Sequence, residues 1–176
     1  LGSPAALLLT LGFGLCQYGD NGFRVWMATY LGDTFLPQAR AAAAFHSVFW
    51  FYIGAFLGIN LAGRVTDGLA KTRPSARFEI AAAGLALSAP TMAGMVLVPS
   101  LWLSCVMMFF FGLGNGFFDC NLYAGLFDVV APRYPAASMG MYLCGAFLIG
   151  CPATAVLGYI GQHFSYQHGI AIFGGT

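Results

Sequence analysis

Two ionisable side chains lie in the middle of the first long apolar stretch of the sequence. Asp20 and Arg24 are four residues apart, so on a helix they lie on one face in the favourable acid-first order. An acid or an arginine at the centre of a bilayer costs about 2.5–3.5 kcal/mol to insert, so such residues face protein or a wet cavity. Two interpretations stay open: a self-neutralising pair that makes insertion tolerable, or an Arg24 that binds an anionic group through its forked donors.

Other polar and aromatic residues of the same stretch are candidates for contact with a bound solute. Trp26 and Tyr30 could form the wall of a cavity or could anchor the helix at the membrane interface. The candidate substrate-binding residues of this stretch are Gln17, Tyr18, Asn21, Arg24, Trp26 and Tyr30.

A second polar cluster lies in a later apolar stretch and contains Asn115, Asp119 and Asn121. Asp119 has no basic neighbour in the sequence, and burial at bilayer depth disfavours the charged form of a carboxyl group. Such a group suits proton uptake and release, so Asp119 and Asp20 are the candidate proton-coupling residues, and Asn115 and Asn121 are candidate substrate ligands. The alternative is a protonated Asp119 that is hydrogen-bonded to a neighbouring helix.

The composition is that of a membrane protein. Among 176 residues there are 7 Lys+Arg and 6 Asp+Glu, whereas 59% are hydrophobic, and soluble chains carry roughly 25% charged residues. A net charge of +1 argues against a nucleic-acid partner, since binding requires a basic surface. The 5 cysteines form no CxxC pair and the histidines are scattered, so we expect neither a metal site nor a cofactor.

Apolar segments long enough to cross a bilayer predict an all-α, polytopic bundle of five complete spans and the start of a sixth. The predicted spans are 5–31, 41–63, 78–97, 101–130, 136–160 and 168–176. If the loops alternate sides, Arg64, Lys71, Arg73, Arg77 and Arg133 share one side and Arg40 lies on the other. This bias predicts that the basic side is cytoplasmic.

Glycines are spaced so that helices can approach one another closely. Gly54 and Gly58 form a GxxxG pattern, and Gly112, Gly114 and Gly116 cluster in the fourth predicted span. Small residues at such spacings let helix backbones touch within a membrane. We therefore expect both segments to make close helix–helix contacts.

Four segments together carry a resemblance to a known family. Residues 63–67 (GRVTD), followed by Lys71, Arg73 and Arg77, resemble a cytoplasmic loop motif of the major facilitator superfamily. Residues 24–31 (RVWMATYL) are similar to the seventh helix of its organic-anion and spinster-like members. Residues 116–121 (GFFDCN) and 150–152 (GCP) are similar to its tenth and eleventh helices. The chain thus resembles the C-terminal six-helix half of such a transporter.

The resemblance implies a secondary active transporter of a small organic solute, often an organic anion, that works by alternating access with proton or sodium coupling. It implies a bilayer-embedded, multi-pass chain, in the plasma (inner) membrane, whose N-terminal six-helix half is missing from this sequence. It also implies a cytoplasmic gate. The residues expected there are Gly63, Arg64, Asp67, Arg73, Arg77, Asp128 and Arg133.

Two other classes of function compete with transport. One is a transporter-shaped protein that binds a ligand as a sensor or scaffold without moving it. The other is a membrane-embedded enzyme, which we do not expect because the sequence has no recognisable nucleophile, paired-carboxylate or HExxH pattern.

Overall fold

The computed structural model describes residues 4–71, 73, 75–129 and 135–163. Within those residues every regular element is an α-helix, which confirms the predicted all-α bundle. The helices are α1 (Pro4–Thr34), α2 (Arg40–Ala70), α3 (Ala76–Leu97), α4 (Leu101–Val129), α5 (Pro135–Gly150) and α6 (Pro152–His163).

Among the described residues, four helical segments, α1 not among them, have the length and composition of membrane spans. They are Arg40–Ala70, Ala76–Leu97, Leu101–Gly125 and Ala136–Val156. Large apolar side chains such as Leu8, Phe56 and Leu148 are exposed on the outside of the bundle, which suits lipid contact. α1 is as long as α2 and carries Asp20 and Arg24 near its middle.

Two of the predicted spans have different limits in the structure. α2 continues to Ala70, whereas we expected it to end at residue 63 and to be followed by a loop. Its buried positions recur every three or four residues through Ala62 and Thr66, so packing against α4 extends the helix beyond its apolar part.

The fifth predicted span is broken between α5 and α6, because Pro152 lacks the N–H that a continuous helix would use. The sixth predicted span, 168–176, lies outside the described residues.

α4 packs closely against both α2 and α3 through the glycines that the sequence singled out. A Cβ added at Gly112 would collide with the carbonyl oxygen of Phe51, and one at Gly54 with that of Phe109. On the other side of α4, a Cβ at Gly114 would lie 2.6 Å from the carbonyl oxygen of Gly84 on α3. The expected close approach at these glycines is therefore confirmed, and α4 lies between α2 and α3.

Successive helices from α1 to α4 alternate in direction along the chain, so helices two positions apart run parallel. Contacts between Gly54 and Phe109 and between Thr66 and Asn121 show that α2 and α4 run parallel. On the other side, Leu9 contacts Tyr142 and Gly14 contacts Ile149, so α1 and α5 also run parallel. Arg40 and the basic residues Lys71 and Arg73 are accordingly at opposite ends of the bundle, as the alternation of loops predicts.

Candidate functional site

Asp20 and Arg24 form an ion pair at mid-height on α1. An oxygen (Oδ2) of Asp20 lies 2.6 Å from Nη2 of Arg24, and the two side chains differ in exposure, at 7% for Asp20 and 45% for Arg24. The carboxylate is thus enclosed by protein, and the guanidinium reaches outward from it. The ion pair that the spacing predicted is present.

Asn115 on α4 completes the surroundings of the Asp20 carboxylate. Its Nδ2 donates a hydrogen bond of 3.0 Å to Oδ1 of Asp20. Each oxygen of Asp20 therefore has its own partner, one on α1 and one on α4. The two polar clusters that the sequence suggested meet at this point.

Aromatic side chains of α2 surround the Arg24 guanidinium. Nη1 of Arg24 donates a hydrogen bond of 3.3 Å to the hydroxyl of Tyr52. The guanidinium carbon also lies 5.6 Å from the ring centre of Phe51 and 5.7 Å from that of Tyr52, within the range of cation–π attraction. Tyr52 was not among the residues predicted from the sequence, because a tyrosine in an aromatic-rich apolar span is distinguished from its neighbours only by its hydroxyl group.

Two clefts adjoin the ion pair, one lined by Asp20 and the other by Arg24. The first, of about 290 Å³, lies between α1, α3 and α4, and its polar lining includes Asp20, Asn115 and Ser88 among apolar residues such as Met92 and Phe111. The second, of about 190 Å³, lies between α1 and α2. It is lined by Phe23, Arg24, Met27, Ser47, Val48, Phe51 and Tyr52.

The clefts have different chemical character. The α1–α3–α4 cleft presents a carboxylate and an amide, so it suits a proton or a cation. The α1–α2 cleft presents a guanidinium and a hydroxyl between aromatic faces, so it suits an organic anion with an apolar body.

Several predicted substrate ligands lie away from both clefts. Tyr30 is 2% exposed, and its hydroxyl donates to the carbonyl oxygen of Val96 over 3.0 Å. Trp26 donates from Nε1 to the carbonyl oxygen of Thr154, so it joins α1 to α6. Asn121 is 2% exposed and accepts a hydrogen bond of 2.7 Å from Thr66. The structure gives these three residues roles in helix packing.

The remaining candidates of α1 face other helices. Gln17 and Asn21 lie against Gly150 at the end of α5, where an added Cβ would be 3.1 Å and 3.0 Å from their nearest side-chain atoms. Tyr18 is partly buried against the main hydrophobic core.

Asp119, the candidate on α4, is partly exposed and lies one turn beyond Asn115. It is close enough to Asp20 and Arg24 to interact electrostatically with both.

The described gate residues lie at one end of the bundle, and four of them, Gly63, Arg64, Asp67 and Arg77, are on helices rather than in a loop. Gly63, Arg64 and Asp67 belong to the last turns of α2, where Arg64 and Asp67 are exposed. Arg73 is exposed just beyond α2, and Arg77 is partly buried in the first turn of α3. The side chain of Asp128 and the whole of Arg133 lie outside the described residues.

Among the described residues, no group of three or more His, Cys, Asp or Glu side chains could hold a metal ion. The sequence matches no protein-family model, and no curated protein matches it.

Proposed function

We propose that this chain is the C-terminal six-helix half of a major facilitator superfamily transporter that moves a small organic anion by alternating access. The observation that carries the proposal is the 45% exposure of the Arg24 side chain near the middle of α1. A cation at that depth is too costly to place against acyl chains. The face that bears Arg24 and Tyr52 therefore requires water, a solute or another protein segment beside it.

A second six-helix half would enclose that face. In this fold two halves meet around a site at the midplane of the bilayer and rock against each other. We place the substrate in the α1–α2 cleft, with its anionic group on Arg24 and its apolar body against Phe51 and Tyr52. Asp20 and Asp119 are the carboxyl groups nearest to this site and remain the candidates for proton coupling.

The basic end of the bundle supports a cytoplasmic gate. Arg64 and Asp67 project from the end of α2, and Arg73 and Arg77 follow at the connection to α3. In the proposed transporter these residues contact the other half when the cytoplasmic side is closed. Such contacts favour one of the two conformations. The size of the effect is the difference between the free energies of these contacts in the two conformations. We assign this side to the cytoplasm and the chain to the plasma (inner) membrane.

Uptake by the complete transporter in proteoliposomes tests the proposal. The probes are radiolabelled D-glucuronate, D-gluconate and p-aminohippurate, three organic monoanions that differ in their apolar body. We expect saturable uptake of at least one probe, and loss of that uptake in Arg24→Ala with an unchanged amount of folded protein. Arg40→Ala is the matched control, because Arg40 is also paired with an aspartate, Asp33, but at an exposed helix end.

Two results would contradict the proposal. Unchanged uptake in Arg24→Ala would remove Arg24 from the substrate site. Saturable binding of a probe without any flux would favour the sensor or scaffold function instead.

A further inference from the structure

His46 and Trp50 are hydrogen-bonded to each other in the part of α2 that follows Arg40. The Trp50 indole donates from Nε1 to Nδ1 of His46 over 3.1 Å. A ring nitrogen of histidine accepts a hydrogen bond only when it carries no proton. The geometry therefore requires the neutral imidazole, with its proton on Nε2.

The imidazole of His46 also faces the beginning of α4. Its ring centre lies 6.1 Å from that of Trp102, and the two ring planes are inclined at 74°. Trp102 lies in the first turn of α4 and is 65% exposed, and His46 is partly exposed. A cation is attracted to an indole ring at about this distance. Trp102 thus offers the protonated imidazole a partner, whereas Trp50 can bind only the neutral one.

We propose that His46 is a pH-sensitive switch that changes its partner from Trp50 on α2 to Trp102 on α4. In acid, a proton from water binds to Nδ1 of His46, which then no longer accepts a hydrogen bond from Trp50. The imidazolium is held by the ring of Trp102, and the Trp50 indole is released. The change is reversible, because the proton returns to water when the pH rises.

The packing of Trp50 gives this switch a structural effect. Trp50 packs against the main hydrophobic core, which includes Leu31 near the end of α1, Ala43 near the start of α2 and Val96 near the end of α3. Release of its indole therefore changes the packing where these three helix ends meet. In the orientation that the basic residues predict, this end faces away from the cytoplasm, so the switch responds to pH on that side.

The other titratable groups on the elements that meet at this end are Tyr30, Asp33, Arg40, Tyr52 and Cys105. Asp33 and Arg40 are paired with each other at 3.3 Å, and Cys105 is buried. Both tyrosine hydroxyls take part in hydrogen bonds to other groups. The second half of α3 contains no charged or titratable side chain. Because histidine is the side chain that ordinarily changes charge between about pH 5 and pH 8, the switch is assigned to the imidazole.

The indole N–H of Trp50 reports the switch directly. NMR spectra of the complete protein in lipid nanodiscs, labelled at the indole nitrogens, are recorded between about pH 5 and pH 8, and Trp50→Phe assigns the signal. We expect the Trp50 signal to move with pH along a single titration curve. In His46→Asn the signal should stay fixed, because the asparagine oxygen accepts a hydrogen bond but takes up no proton in this range.

Two further variants are controls for the titration. His163→Asn replaces the histidine at the end of α6, and Asp33→Asn breaks the exposed Asp33–Arg40 pair. Both should leave the titration of the Trp50 signal unchanged. A signal that does not move with pH in the unsubstituted protein, or one that still moves in His46→Asn, would overturn the proposal.

A measurement on the unsubstituted protein covers the case in which His46→Asn does not fold. Solid-state NMR with labelled indole and imidazole nitrogens should show an unprotonated Nδ1 in contact with the Trp50 indole at about pH 8, and a protonated Nδ1 without this contact at about pH 5. A contact at both pH values, or at neither, would overturn the switch. Uptake of an anion enters neither measurement, so failure of the proposed function would leave this inference standing.

Discussion

Asn115 on α4 donates a hydrogen bond to Asp20 on α1, across 3.0 Å and 95 positions of sequence. α4 packs tightly on α2 and α3, whereas α1 packs on α2, α5 and α6. The bond therefore fixes the position of the Asp20 carboxylate relative to α4. It leaves the other oxygen of Asp20 for Arg24.

Removal of the Asn115 amide should loosen this connection. We expect Asn115→Ala to lower stability by about 1 kcal/mol, the usual scale for a hydrogen bond within membrane proteins. Thermal unfolding in detergent would measure the change as a lower Tm. Asn60→Ala is the matched control, because Asn60 is exposed and donates to the carbonyl oxygen of Phe56 in its own helix. Equal Tm values for the two variants would show that the Asn115–Asp20 bond contributes nothing to stability.

The α2–α4 contact should be sensitive to a single added methyl group. In Gly112→Ala the new Cβ meets the carbonyl oxygen of Phe51, so the helices must move apart. We expect a loss of about 1–3 kcal/mol, the usual cost of overpacking, measured as a lower Tm.

Gly140→Ala provides the control for this substitution, because an added Cβ there would have no atom of the described residues within 4 Å. It should leave stability unchanged or raise it by up to about 1 kcal/mol, since alanine favours the helix over glycine. A Gly112→Ala variant as stable as Gly140→Ala would contradict the close approach of α2 and α4.

Thr66 and Asn121 form a buried polar contact between α2 and α4. Thr66→Val removes the donor and leaves the carbonyl oxygen of the Asn121 side chain buried without it, which should cost about 1–3 kcal/mol. The double variant Thr66→Val, Asn121→Leu should cost less than the sum of the single variants. Thr91→Val is the control, because the hydroxyl of Thr91 donates to carbonyl oxygens of its own helix. Additive effects in the double variant would contradict the direct contact.

The sequence predicted those features of the fold that depend on local pattern. The apolar segments predicted the helices, and the i,i+4 spacing predicted the Asp20–Arg24 pair. The GxxxG pattern predicted the close approach of Gly54 and Gly58 to another helix. Each of these follows from residues within a few turns of one another.

Features that depend on how distant helices align could not be read from the sequence. The pairing of Asn115 with Asp20 and that of Tyr52 with Arg24 require the register between helices. The extension of α2 to Ala70 depends on the burial of Thr66 against Asn121. The sequence becomes polar after residue 63, and that change alone led to a predicted helix end that was too early. From the sequence, Trp26 and Tyr30 were candidates for a cavity wall. In the structure they donate hydrogen bonds to the backbone carbonyl oxygens of Thr154 and Val96, respectively.

The proposed transport requires water to reach the face of the bundle that bears Arg24. Cysteine accessibility measures this directly in the complete protein, after its native cysteines are replaced by alanine. Val48→Cys places a thiol in the α1–α2 cleft beside Arg24. Ala86→Cys places one at mid-height on the exposed face of α3 that points away from α4. A thiol must ionise in water to react with a charged, membrane-impermeant reagent.

We predict that Val48→Cys reacts with this reagent at least about tenfold faster than Ala86→Cys, since a wet cleft supports the thiolate and lipid does not. A high concentration of a transported anion should slow the reaction at position 48. Equal and negligible reaction at both positions would place the Arg24 face against acyl chains or buried protein, and would contradict the proposed transport site.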